Sequence, residues 1–259
     1  MFSRILIPTD FSTASEWVFD DALRIAGASG AELIIVHVRM TRTSNPGELR
    51  FPADPSLYEY AEKQELDRLR DRVRRASSSV TTRLIVRQAP HPGAEIARTA
   101  IEEKADLIVI ASHARHHVAH LFVGSTTVSV LSDPPCPVLA IRYGIRKRGS
   151  LRRVVVPVHL AQTSRTALAL AARVAHEVHM VTVCDEEQTS AAETLLAELS
   201  APIANTKTAV LQGGDADKEI LRYTARVDAD AIFLNAVRKP SEGKLDILRR
   251  AQVPVMIVP

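Results

Sequence analysis

The chain has 259 residues, a formal net charge of +3 and 46% hydrophobic content, of which aromatics make up only 4% of the chain. Val, Ile, Leu and Ala must therefore build the core, and the length suits one large or two ordinary domains. The mild charge, with no basic stripe carrying interleaved aromatics, argues against a nucleic-acid partner, and no apolar stretch approaches the ~20 residues that span a bilayer.

No charged-then-apolar leader precedes Ile5, so neither export nor membrane insertion is expected. Cys136 and Cys184 cannot make a disulfide framework and sit in or beside apolar runs, as small hydrophobes in a reducing cytoplasm do.

In chain order, apolar runs at 4–9, 32–39, 83–88, 106–111 and 137–142 are strand-sized and rich in Ile, Val and Leu, which predicts buried parallel strands. Helix-period segments separate them: 13–28 after a Ser12 or Thr13 cap, 56–77 with a Glu-Leu-Asp-Arg-Leu-Arg charge ladder, 92–103, and about 124–132. This alternation predicts a doubly wound α/β sheet. The stretch 41–55, TRTSNPGELRFPADP, reads as a long loop that is mobile without a partner. Arg142 to Arg153 is the densest basic run and reads as a solvated connector.

The chain then repeats itself. RILIPTD at 4 returns as RVVVPVH at 153, EIARTAIEEKADLIVIAS at 95 as EILRYTARVDADAIFLNA at 219, and CPVLAIR at 136 as VPVMIVP at 253. The offset shrinks along the chain, so the second copy has lost residues before its third helix and again in the loop after its fourth strand. Two homologous domains are expected, at 1–145 and 150–259, with 143–152 as a basic linker.

In a parallel α/β sheet, ligands bind beyond the carboxyl ends of the strands where strand order reverses. Pro8-Thr9-Asp10, His37-Val38 and the loop from Ile110 to Thr126 would meet there. A helix starting near Gly124 would aim its backbone N–H groups and positive dipole end at an anion, with the Ser125 and Thr126 hydroxyls as further donors. Asp10 could accept from ribose or purine groups, or help hold a divalent metal that bridges phosphates.

The same loop carries His113, His116, His117 and His120, whose spacing would suit zinc or nickel on a helix face, although no carboxylate or thiol accompanies them. The other reading is a protonatable lid beside phosphates, joined by Arg115. Gly213-Gly214-Asp215 lacks G-x-G-x-x-G spacing and reads as a strand-to-helix turn. H-x-G-H, S-G-G-x-D-S, G-x-S-x-G and H-E-x-x-H signatures are all missing from the sequence, so a dedicated enzyme is not expected.

Pro-Thr-Asp-Phe-Ser at 8–12, Val-His-Val at 36–38, Ala-Asp-Leu-Ile-Val at 105–109, Ser112-His113, Gly124-Ser125 and Cys-Pro-Val-Leu at 136–139 together resemble the universal stress protein family in a tandem-domain form. The resemblance implies two five-stranded parallel sheets of the adenine-nucleotide alpha-hydrolase type, each in the order 3-2-1-4-5 and paired through their last strands. In one subgroup it also implies adenine-nucleotide binding through a Gly-x2-Gly-x9-Gly-(Ser/Thr) loop.

Here that loop reads Ala111-x2-Ala114-x9-Gly124-Ser125, with two glycines replaced. Alanine costs about 1–2 kcal/mol where a left-handed backbone is required and little elsewhere. The implied contacts are Pro8, Asp10 and Val38 for the nucleoside, and Ile110, Ala111, His113, Ala114, Gly124, Ser125 and Thr126 for the phosphates, with Mg²⁺ or Mn²⁺ at Asp10.

In the second copy Asp10 corresponds to His159 and Ala111 to Asn235, and the loop is seven residues shorter without Gly-Ser, so the same cradle is not expected. The implied function is a cytoplasmic stress-response protein that binds ATP or a related adenine nucleotide in its first domain. Occupancy would order 41–55 and 112–123 as a switch, with slow hydrolysis at most. The alternative is a nucleotide-independent scaffold for an unknown protein partner. An enzyme acting on a phosphorylated substrate would need His113 beside Asp10 as its acid–base group. The two domains would form an intramolecular pseudo-dimer, and a further homodimer is compatible with the chain.

Overall fold

The computed structural model describes residues 2–41, 55–76, 80–112, 123–145, 151–161, 165–236 and 242–259. The first half runs β1 (Arg4–Thr9), α1 (Thr13–Ser29), β2 (Glu32–Met40), α2 (Pro55–Ala76), β3 (Thr82–Ala89), α3 (Pro92–Glu102), β4 (Leu107–Ala111), α4 (Ser125–Ser132) and β5 (Val138–Ile141). The second repeats the pattern: β6 (Arg153–Pro157), α5 (Thr166–Val174), β7 (Glu177–Cys184), α6 (Thr189–Ser200), β8 (Thr206–Gln212), α7 (Ala216–Arg226), β9 (Ala231–Asn235), α8 (Glu242–Arg250) and β10 (Val255–Val258).

All strands join one ten-stranded sheet in the order β3-β2-β1-β4-β5-β10-β9-β6-β7-β8. Each half therefore has the order 3-2-1-4-5. The seam is β5 against β10, the one antiparallel pair among the described strands, with Leu139 opposite Met256.

Successive side chains on a strand point to opposite faces, so the strands feed two cores. One face forms a continuous core that includes Ile5, Ile7, Leu33 and Ile35 with Val18 and Phe19 of α1 in the first half and Leu196 and Leu199 of α6 in the second. The other face includes Leu6, Ile34, Val36, Ile108 and Ile110 with Ile96 of α3 and Val130 and Leu131 of α4, continued by Tyr223 of α7 and Ile247 of α8 in the second half. Burial on both faces is why these strands read as continuous apolar runs; each fully buried Leu or Ile contributes about 1.5–3 kcal/mol.

Local signals set the first helix. The Ser12 hydroxyl accepts from the Ser15 amide to cap its start, and Gly30, at φ 66°, donates to the Ala26 and Gly27 carbonyls at its end.

The ends of the basic run are not a solvated connector. Arg142 Nη1 donates to the Arg249 carbonyl at 3.4 Å, while Arg153 Nε reaches Glu177 Oε1 at 3.1 Å and its Nη1 the Val227 carbonyl at 2.6 Å. Charge spacing alone shows no partner that arrives from more than 20 residues away. Cys136 and Cys184 are buried free thiols, and burial pushes the Cys136 thiol up to about 12.

Candidate functional site

The carboxyl end of β1 turns sharply. Asp10 Oδ1 accepts from the Ser12 amide at 3.0 Å and the Ser12 hydroxyl at 2.5 Å, a turn in which the carboxylate stands in for a backbone acceptor. Phe11 between them has φ 59°, a left-handed conformation that costs a side-chain-bearing residue about 1–2 kcal/mol. Its amide is satisfied by Thr9 Oγ1 at 3.2 Å. The strain and the Ser12 bonds together fix Asp10 at the exposed lip of the sheet.

His37 of β2, level with Thr9 at the end of β1, is buried, and its ring centroid lies 4.3 Å from that of Phe11. Nδ1 is 2.9 Å from the Thr9 carbonyl and Nε2 is 3.0 Å from Glu62 Oε1 of α2. A carbonyl only accepts, so Nδ1 carries a proton, and a second proton on Nε2 would donate to the carboxylate. Arg39 adds Nε to Oε1 at 3.0 Å and an ion pair from Nη2 to Oε2 at 2.7 Å. Burial pushes the Glu62 carboxyl up, but hydrogen bonds from Arg39 and His37 outweigh it and hold the group below the usual carboxylate range. This triad ties α2 to the sheet edge beside Val38.

Across β1, Ile110 is buried and Ala111 closes β4. The Ala111 carbonyl accepts from Thr127 Oγ1 at 2.8 Å, which pins the first turn of α4 to the carboxyl end of β4. Gly124 caps α4 in an extended conformation, φ −61° and ψ 145°, with the exposed Ser125 and half-buried Thr126 following. The first-turn amides of a helix have no intrahelical acceptor and favour negative charge.

Ala111 is a strand residue outside the positive-φ set, so alanine there carries no left-handed penalty. Gly93 at the start of α3 sets the other side of α4: a Cβ there would lie 2.5 Å from the Cβ of Ser129 and 3.0 Å from the Thr126 carbonyl.

The neighbouring strands β2, β1 and β4 thus gather Val38, Pro8, Asp10, Ile110 and Ala111 at one sheet edge, with Gly124, Ser125 and Thr126 at the helix start pinned to β4. His113, Ala114 and the other loop histidines lie outside the described residues, as does most of 41–55. Among the described residues no group of three or more His, Cys, Asp or Glu side chains could hold a metal ion. Asp10 by itself is one oxygen ligand, so a divalent ion would depend on phosphate and water for the rest of its shell.

Sequence reasoning missed the roles of Glu62, Arg39 and Gly93, and of Ser12 it found the helix cap but not the bonds to Asp10. The buried polar His37 inside an apolar run was the available signal for the first two.

The second half closes the same edge. Asn235 Oδ1 at the end of β9 accepts from the Ala167 amide at 2.8 Å and from Thr166 Oγ1 at 3.0 Å, so an amide side chain caps α5 from across the crevice. His159 turns back on itself, with Nδ1 accepting from the Ala161 amide at 3.2 Å. Thr182 keeps the architectural part of His37's role by donating to the Val158 carbonyl at 3.0 Å.

Residues 1–142 match the model of the Universal stress protein family. The Thermus aquaticus protein named "Universal stress protein in QAH/OAS sulfhydrylase 3′ region" is 33% identical over 146 residues, which is 55% of this chain and 100% of that relative. A protein of Staphylococcus aureus strain USA300 with the same family name is 29% identical over 143 residues, 54% of this chain and 84% of its own. The crystal structure of a universal stress protein from Archaeoglobus fulgidus superposes with a TM-score of 0.75 at 21% identity, covering 98% of this chain and 95% of that one, so the fold of both halves recurs there.

Proposed function

The chain belongs to the universal stress protein family, and from that premise we propose that its first half binds ATP or a related adenine nucleotide as a regulatory ligand, while the second half serves as its intramolecular structural partner. The observation that carries the reading is the bond from Thr127 to the Ala111 carbonyl. It holds the donor-rich start of α4 at the carboxyl end of β4, next to the strand that ends beside Asp10, and a helix start is a favourable seat for phosphate. Pro8 and Val38 supply apolar contacts for the nucleoside, and Asp10 accepts from its hydroxyl or amino groups.

Ala111 supports the reading because its backbone is extended; Ala114 and His113 belong to it as implied by family resemblance alone. Mg²⁺ or Mn²⁺ would be carried chiefly by the phosphates, with Asp10 as the protein ligand. The described groups include no evident base beyond these, so the reading is a switch with slow hydrolysis at most, acting in the cytoplasm. The domain limits 1–145 and 150–259 go with it. The scaffold reading draws its support from Asn235, which fills the crevice of the second half.

Calorimetric titration of MgATP into nucleotide-stripped protein tests the proposal. One site per chain is expected. Asp10→Ala should weaken it roughly 10- to 100-fold, the worth of about 1.5–3 kcal/mol for a hydrogen bond to a charged group. Gly124→Asp should keep α4 capped, since Asp is a good N-cap, while repelling phosphate. No saturable binding up to millimolar ATP would leave the scaffold.

A further inference from the structure

A second concavity lies on the opposite face of the first half, between α1 and α2. It has a volume of about 180 Å³ and a floor of Ile7, Phe19, Ile35 and Leu69. Protein interiors contain few voids larger than a water molecule, and a 150 Å³ apolar cavity is enough to bind benzene. The space is therefore sized for a single ring or a short acyl chain.

Its rim carries one more basic than acidic group. Arg68, Arg72 and Arg75 of α2 line it with Glu65, and Glu16 and the hydroxyl-bearing Ser15 stand on the α1 side. Arg72 is held over the Phe19 ring at 4.3 Å and by Asp20 at 2.6 Å, so its guanidinium is fixed at the rim. Arg68 is 73% exposed and pairs only one turn away with Glu65 at 2.5 Å. Exposed pairs of this kind are weak and exchange readily for another carboxylate.

The second half has the same layer without arginine on the matching helix. Met180 stands where Ile35 stands and is fully buried, Leu196 and Leu199 of α6 are buried in the same core, and α6 contains no arginine. In one chain, the same architecture buries leucine and methionine in one half and has a cavity under arginines in the other.

We propose that the α1–α2 cavity is a binding site for a small apolar carboxylate, its ring or chain on Ile7, Ile35 and Phe19 and its carboxylate on Arg68 and Arg72. Odd-numbered β1 and β2 residues face it, whereas Val38 and Ile110 pack toward the α3–α4 core. The cavity thus lies on the other face of the sheet from Val38 and Ile110, and it reaches Thr9 and Phe11 on either side of Asp10.

The experiment is calorimetric titration of the full chain with benzoate and hexanoate, and with benzyl alcohol and hexanol as uncharged counterparts. One saturable site per chain is expected, with each alcohol at least ten-fold weaker than its acid. Arg68→Gln/Arg72→Gln should reduce carboxylate affinity at least ten-fold, and Leu69→Trp should block both probes; a circular-dichroism melt checks that each variant folds. Should Leu69→Trp fail to fold, the arginine variant still decides. Binding should survive in Asp10→Ala and in saturating MgATP. Equal affinity for acid and alcohol, no saturation at millimolar probe, or displacement by ATP would each overturn the proposal.

Discussion

The two halves share strand order, helix placement and a backbone-carbonyl lock at the end of the first strand, yet their sheet edges differ. In the first half Ala111 ends β4 with a side chain too small to cross the crevice, and its carbonyl is used to pin α4. In the second, Asn235 ends β9 at the corresponding position and reaches α5, satisfying a helix amide that Arg165, the N-cap residue, does not. At this position the second half uses an amide side chain as an internal helix cap and the first half does not. Fold is conserved between the copies while the side chains at the strand ends are not, and fold alone does not fix function.

The sharpest way to break the comparison is to move the plug. Ala111→Asn should lower MgATP affinity at least 100-fold in calorimetry, since the amide would reach toward the start of α1 beside Asp10, as Asn235 reaches α5; unchanged affinity would show that the crevice lies elsewhere.

Next comes Gly93→Ala, which places a methyl against Ser129 and Thr126. It should destabilise the chain by about 1–3 kcal/mol, the usual cost of overpacking, read as a lowered urea midpoint, and weaken nucleotide binding through displacement of α4.

The reverse exchange, Asn235→Ala, should cost about 1–3 kcal/mol in urea denaturation because the Ala167 amide loses its acceptor inside the fold. It should create no second nucleotide site.

A smaller effect is expected from pH. Glu177 is held at about 2 by hydrogen bonds from His179 and Lys207, with Arg153 alongside. Its folded value lies below the ordinary 4.5, so its contribution to stability is complete above about 4.5 and is lost as pH falls toward 2. Glu177→Gln should flatten the urea-midpoint profile over that window more than Glu62→Gln does, whose carboxyl is lowered against the opposing effect of burial.

The expected strand and helix positions agree with the structure to within one or two residues in the first half, from 4–9 through Val138–Ile141. Strands buried on both faces must be apolar throughout, and that requirement is visible residue by residue. Ser12 was legible as a helix cap for the same reason: its partner is three residues away. His37 was visible as a polar residue in an apolar run, but its partner Glu62 lies 25 residues on and across a loop. Local spacing carries no information about such a pair.

The sequence by itself determined the duplication and the alternation of elements, because hydrophobic period and motif spacing are properties of the chain. Tertiary structure alone decided that Ala111 needs no left-handed backbone, that Gly93 gives α4 its seat, that Asn235 caps α5, and that α1 and α2 stand over a cavity with arginines at its rim. Each of these depends on a dihedral angle or on a distance between residues far apart in the chain, and such quantities exist only once the sheet has brought the elements together.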